Sequence, residues 1–193
     1  AVGIPLAIIV TVVPLIRRVV LPILVVSQTI PMIVLAPLLV IWLGFGMLPK
    51  IVVVALMGFF PIVVNSIDGM DIADPEMVNL VRSMGATRTE QLRRVLIPTA
   101  IPAFFSGLKI AATYAVVGAV IGEWVGARQG LGIFITRSQS SFRTDQIFVA
   151  VVVIAILSIV LFATVSLVAR LASPWKYINS TNYLNSYNGG HRL

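Results

Sequence analysis

The sequence predicts an all-α, polytopic membrane helical bundle with about five spans in this chain. Three observations carry that expectation. Of the 193 residues, 59% are apolar and 11% charged, where soluble domains hold about 25% charged residues. Mean hydropathy is +1.03, leaving too few polar groups to cover a water-exposed surface. The apolar residues also fall in long charge-free runs. A transmembrane barrel would instead alternate polarity in segments of about 10 residues, so helices are preferred despite the abundant Val and Ile.

Taken in order, the first run, Ala1–Ile16, is short for a hydrocarbon core that needs about 20 helical residues. The chain opens AVGIP, with neither Met nor a basic n-region, and no signal peptide is visible. The expectation is a start inside a span, with one N-terminal span missing. Val19–Leu43 carries no charge and is long enough to cross as one span. Ile51–Ile67 is shorter and also uncharged, Ile101–Gly122 is interrupted only by Lys109, and Gln146–Ala169 is uninterrupted. Lys109 lies toward one end of its run, where its stem can snorkel. Pro5, Pro14, Pro22, Pro31, Pro37 and Pro61 fall within the runs. A bundle can re-satisfy the carbonyls they free, around kinked helices or a water-lined cavity.

Between the third and fourth runs lies a polar insert, Val81–Pro98 with its lead-in from Asp74, where Arg82, Arg88, Glu90, Arg93 and Arg94 crowd together. Asp74-Pro75-Glu76 predicts a helix start, with an Asp cap, Pro at the first helical position and an acid at the positive end of the dipole. Gly85 suits the left-handed residue that ends a helix. Thr87-Arg-Thr-Glu90 matches the capping box, predicting a second short helix that runs to about Ile97, before Pro98. The insert, 74–98, is therefore helix, Gly turn, helix.

Lys and Arg divide unevenly between alternate loops. One side holds Arg17, Arg18, Arg82, Arg88, Arg93, Arg94, Arg170, Lys176 and Arg192; the other holds Lys50, Arg128, Arg137 and Arg143. The positive-inside rule then predicts that the insert and the C-terminus are cytoplasmic. The chain divides into a permeating domain, 1–172, and a polar cytoplasmic tail, 173–193.

Some chemistry is excluded by composition. With no cysteine and a single histidine, His191 in the tail, thiol catalysis, Cys-ligated zinc and a His-based metal site are not expected. A net charge of +7 raises nucleic acid as a partner. The connections from the insert to both spans are too short, however, to free a helix–turn–helix that could enter a groove, and no nucleic acid is expected. Two readings of the insert stay open on residues alone: an amphipathic loop lying on lipid headgroups, or a docking element for a cytoplasmic partner.

The pattern Gly85, nine residues, Val95-Leu-Ile97-Pro98 resembles the cytoplasmic signature loop of bacterial ABC importer permeases, E-A-A, three residues, G, nine residues, I-x-L-P. Here Asn79-Leu80-Val81 stand where E-A-A would be, Val95 and Ile97 replace the I and the L of the last block, and Gly85 and Pro98 match. Further blocks are similar to the branch serving nitrate, taurine, sulfonates and thiamine-precursor pyrimidines: Ser27-Gln-Thr-Ile-Pro31, Trp42-Leu-Gly-Phe-Gly46, Phe59-Phe-Pro-Ile62, Arg82-Ser-Met-Gly-Ala86, Ser106-Gly-Leu-Lys109, Ile121-Gly-Glu-Trp124 and Gly130-Leu-Gly132. They run in order over about Gly3–Trp175.

That resemblance implies a type I importer permease fold in the bacterial inner membrane. It also implies two permease subunits, expected as a homodimer, two cytoplasmic ABC ATPases using ATP and magnesium, and an extracytoplasmic substrate-binding protein. No Walker A pattern occurs, so no cofactor is expected on this chain and it is not expected to be an enzyme. The resemblance makes Asn79, Arg82, Ser83, Met84, Gly85, Ala86, Thr87 and Arg88 the segment that seats on the ATPase. ATP-driven closure must pass through a short, rigid helix fixed at both ends.

Within and beside the spans, polar groups are candidates for the path or its gate: Gln28, Thr29, Asn65, Tyr114 and Glu123, together with Pro31. Helix–helix hydrogen bonding is the plainer role for any one of them. Glu123, at the edge of a span, is a functional candidate by position; its structural alternative is a hydrogen bond or an ion pair with Arg128. The spacing Asp68, Asp71, Asp74 resembles, loosely, the Asp-rich helices of membrane prenyltransferases, but Asp145 is the only other Asp and cannot supply a second cluster. A secondary transporter or channel is the other alternative, and it leaves the insert without a purpose.

Overall fold

The computed structural model describes residues 3–125 and 127–174, and every regular element among them is helical. The chain runs α1 (Gly3–Val12), α2 (Pro14–Thr29), α3 (Met32–Leu43), α4 (Met47–Asp71), α5 (Pro75–Ser83), α6 (Arg88–Gln91), a π-helical turn at Leu92–Leu96, α7 (Ile97–Trp124), α8 (Leu131–Ser140) and α9 (Thr144–Ala172). His191, Lys176, Arg192 and nearly all of the polar tail lie outside the described residues.

The bundle is organised on α4 and α7, which pack antiparallel along a seam of small residues. Gly122 faces Lys50, Gly118 faces Val54 and Met57, Ala111 faces Gly58, Gly107 faces Pro61 and Asn65, and Gly69 faces Ala100 and Ala103. Lipid tails are as apolar as the side chains, so close backbone approach supplies much of the association that the hydrophobic effect supplies in water. A core of Ala7, Val10, Leu24, Val63, Ile67, Met70 and Ala100 ties α1 and α2 to one half of that pair, and Ala36, Leu39 and Val53 tie α3 to the other. Helix α9 buries only Ala150 and Ala169 and exposes Phe148, Ile156, Ile159 and Leu167. An exposed, uniformly apolar helix of 29 residues suits a lipid-facing span.

Among the described residues three helical stretches are long and apolar enough to cross a membrane: Met47–Asp71, Arg88–Trp124 and Thr144–Ala172. The expected single span Val19–Leu43 is corrected. Leu15–Thr29 and Met32–Leu43 meet at a 95° bend, so they make at most one broken span, and α1 has only 10 residues. Proline is the cause. Ile30 precedes it and is held extended at ψ 118, and Pro31 is itself extended at ψ 118; a residue before Pro is forced out of the helical region. Pro22, Pro37, Pro61 and Pro102 remain inside their helices. There Asn65 Nδ2 donates to the Pro61 carbonyl at 2.8 Å and Ser106 Oγ to the Pro102 carbonyl at 3.1 Å.

The second helix of the insert also differs from expectation. It does not stop before Pro98 but runs on as 37 helical residues, Arg88–Trp124. The π-helical turn absorbs the proline: Ile97 N–H reaches back to Leu92 O, and Thr99 Oγ1 donates to Val95 O at 2.8 Å. A helix of 37 residues is about 55 Å long, well beyond a hydrocarbon core of about 30 Å. Its polar first turns therefore project beyond the membrane.

Candidate functional site: a clamped insert helix and a groove at the helix break

Helix α5 is fixed at both ends by its own backbone. Ile72 N–H donates to Asp68 O and Ala73 N–H to Met70 O, so α4 turns into the insert without slack. Asp74 Oδ1 then accepts from Glu76 N at 2.8 Å, capping α5. At the other end Gly85 N–H reaches Arg82 O and Ala86 N–H reaches Val81 O, the paired bonds of a Schellman ending. Gly85 holds φ +86, a conformation that costs residues with a Cβ roughly 1–2 kcal/mol. Two residues on, Thr87 Oγ1 accepts from Glu90 N at 3.3 Å, and Glu90 Oε2 accepts from Thr87 N at 2.9 Å. The Thr87 amide and then its hydroxyl hold the Glu90 carboxyl below its ordinary value. That part of the cap is complete above the usual carboxylate range and fades as pH falls through the lowered value.

No residue of α5 is buried. Asn79, Arg82, Ser83, Met84, Gly85, Thr87 and Arg88 are exposed and Ala86 is partly covered. Ser83 Oγ turns back to Leu80 O at 2.8 Å. Met77 and Leu80 on the helix and Met84 at its C-cap have 50%, 56% and 79% of their surface open. The spacing of these three, one turn apart, was a legible signal that the motif comparison alone passes over.

The pathway candidates separate. Gln28, Pro31 and Tyr114 are brought together on one groove of about 440 Å³, with Met57 and Ile121 on its wall. The 95° break opens it. Thr29 is not among its lining residues; its Oγ1 bonds Val26 O at 2.7 Å. Asn65 is on the packed seam, bonded to Pro61 and against Gly107. Lys109 reaches across to α9, with Nζ 5.8 Å from the Phe162 ring centre.

Glu123 lies at the far end of α7 from the insert. Its Oε2 accepts from Gly132 N at 2.8 Å, at the start of α8. Gly130, at φ +139, leaves no room for a Cβ beside this carboxylate. The blocks Ile121–Trp124 and Gly130–Gly132 are thus one junction, with the carboxylate on the positive end of a helix. Of the two structural roles expected for Glu123, a hydrogen bond or an ion pair with Arg128, the hydrogen bond is the one formed among the described residues. Glu123→Ala is expected to leave the buried Gly132 amide unpaired and cost about 1–3 kcal/mol, read as a lower melting temperature of the purified membrane complex.

Two carboxylates of the Asp-rich stretch have structural employment. Asp74 caps α5, and Asp71 accepts both terminal nitrogens of Arg17, at 2.9 and 2.5 Å. The second contact joins residues 54 apart in sequence, and nothing local announces it.

The described residues thus form a helical membrane bundle with a broken span beside a small-residue helix pair and a capped helix in its polar insert. The chain belongs to the family of binding-protein-dependent transport system inner membrane components, which it matches over residues 3–176. It is 39% identical over 161 residues, 83% of this chain, to the formylaminopyrimidine transport permease protein ThiX of Halalkalibacterium halodurans. It is 36% identical over 155 residues, 80% of this chain, to the riboflavin transport system permease protein RibX of Chloroflexus aurantiacus. The taurine transport system permease protein TauC of Escherichia coli is 29% identical over 173 residues, 90% of this chain. The chain spans 64%, 58% and 63% of the lengths of these relatives. The MetNI methionine ABC transporter, solved in inward-facing conformations, shares the fold with a TM-score of 0.73 at 22% identity, over 88% of this chain and 85% of that one. The expected permease fold and membrane location stand on these findings.

Proposed function

We propose that the chain is the membrane-spanning subunit of an ATP-driven importer and forms part of the path for a small solute handed over by a substrate-binding protein. The observation that carries this is α5: clamped at both ends, it turns Met77, Leu80 and Met84 outward with no residue of its own buried. An apolar face on a rigid helix outside the bilayer needs a partner to cover it, and a cytoplasmic ATPase is the partner that the importer family supplies. Arg82 and Arg88, both exposed, flank the face for pairing with acidic groups. Two copies of the chain enclose the path, two ATPases seat on the two inserts, and the C-terminus is cytoplasmic. ATP and magnesium belong to the ATPases.

The groove at Gln28, Pro31 and Tyr114 supports a place on that path. Its walls carry one amide and one phenol and are otherwise apolar, which suits transient contact with a small, uncharged, planar solute. A thiamine-precursor pyrimidine fits that description and is supported by the likeness to the formylaminopyrimidine permease.

The chain has no native cysteine, so Met84→Cys gives a unique site for cross-linking. The expected result is a product with the co-expressed ATPase whose yield changes on ATP addition. No such product from Met84→Cys, with efficient linkage from Phe142→Cys beyond the opposite end of the bundle, refutes the assignment of both partner and side.

A further inference from the structure

The Arg17–Asp71 ion pair is not used by any role assigned so far. Resting on the importer reading, we propose that it is the positioning contact through which the cytoplasmic insert moves the broken pair α2–α3, and with it the groove at Gln28 and Tyr114.

Asp71 is the last residue of α4. The hydrogen bonds at Ile72 and Ala73 leave no slack before the Asp74 cap. Displacement of α5 is therefore felt at the Asp71 carboxylate. Arg17 sits in the first turn of α2, which then runs without interruption to Thr29. Its two nitrogens meet the two Asp71 oxygens at 2.9 and 2.5 Å. A forked contact of this kind fixes orientation as well as distance. Asp68, one turn earlier on α4, adds to the negative field that Arg17 meets.

Helix α2 meets the core it shares with α4 through Leu24 and the partly buried Ile16, Val20 and Leu21, none of which fixes direction as a forked ion pair does. Among the described side chains of α2, Leu24 alone is buried, while Leu15, Val19, Ile23 and Val26 are exposed. From Arg17 to Gln28 is about 16 Å along the helix axis, ending just before the break that borders the groove. The side chains of Arg17 and Asp71 remain 38% and 37% exposed. Pairs so open add little to fold stability, so the contact is better suited to directing motion than to holding the bundle together.

The test uses the full-length subunit with its co-encoded ATPase, reconstituted in liposomes, and the co-purifying binding protein as isolated. Arg17→Gln and Asp71→Asn are each expected to lower the ratio of stimulated to basal ATP hydrolysis by about tenfold, within the range of ordinary coupling energies. Basal hydrolysis and melting temperature should stay the same. Arg17→Lys, which keeps charge but not the fork, should fall between. The exchange Arg17→Asp with Asp71→Arg should restore most of the ratio. A common fall of both rates with the ratio intact overturns the proposal in favour of a plain brace, and so does loss of the ratio that the exchange fails to restore.

A second readout needs no binding protein. Spin labels at Val26→Cys and Ile72→Cys should keep their separation when ATP and vanadate trap the complex, and should shift apart in Arg17→Gln. An unchanged separation in Arg17→Gln also overturns the proposal. If the unaltered transporter shows no stimulation by the binding protein, the importer reading itself fails, and that result is distinct from either outcome above.

Discussion

Gly107→Leu is expected to abolish recovery of a folded subunit. A Cβ at position 107 would press into the Pro61 carbonyl and lie 2.9 Å from the Asn65 Cβ and 3.0 Å from the Pro61 carbonyl carbon. The obstruction is backbone, on the helix that organises the bundle, and the same carbonyl already accepts the Asn65 amide at 2.8 Å. Neither helix can retreat without parting the seam above and below, at Gly58 against Ala111 and at Gly69 against Ala100 and Ala103. Overpacking a tight interior costs about 1–3 kcal/mol even for small additions, which is the expectation for Gly107→Ala. A leucine exceeds what side-chain adjustment can absorb. Size-exclusion of the detergent-solubilised subunit reads the effect, with Val117→Leu on the exposed part of the same helix as the control. A monodisperse Gly107→Leu subunit of normal melting temperature would falsify the seam as the source of bundle stability.

Gly85→Arg is expected to eliminate stimulated ATP hydrolysis and transport while the subunit inserts and purifies normally. The left-handed backbone at φ +86 costs the arginine roughly 1–2 kcal/mol, confined to an exposed turn. Among the described residues nothing lies within 4 Å of the position a Cβ would take, so the side chain meets no part of its own chain. It would instead stand beside Met84, on the face assigned to the ATPase. Gly85→Ala separates the two contributions: it carries the backbone cost without the bulk, and should retain most coupling. Stimulated hydrolysis at the unaltered level in Gly85→Arg would remove this turn from the contact.

Much of the insert was legible because its determinants are local. Asp74, Gly85, Thr87 and Glu90 each act within a few residues of themselves, and the caps they form are those the sequence predicts. The end of the second helix was not legible. Pro98 reads as a terminator, and only the π-helical turn at Leu92–Leu96 shows how the chain carries it into a span. Glu123 was visible as a carboxylate at a span edge, but its choice of the Gly132 amide over Arg128 depends on how the Gly130 turn closes. The groove was half visible: Gln28 and Tyr114 stand out as polar residues in apolar runs, yet no local rule places residues so far apart on one wall.

By itself the sequence determined a helical membrane bundle and its polar insert, because composition and capping act along the chain. Only the tertiary structure decided that Ile30–Pro31 breaks a span while Pro22, Pro37, Pro61 and Pro102 do not, and that Arg17 reaches Asp71. A proline is tolerated where packing across the bundle keeps the helix continuous around it, and an ion pair forms where two helix ends happen to meet. Both depend on what lies across the bundle.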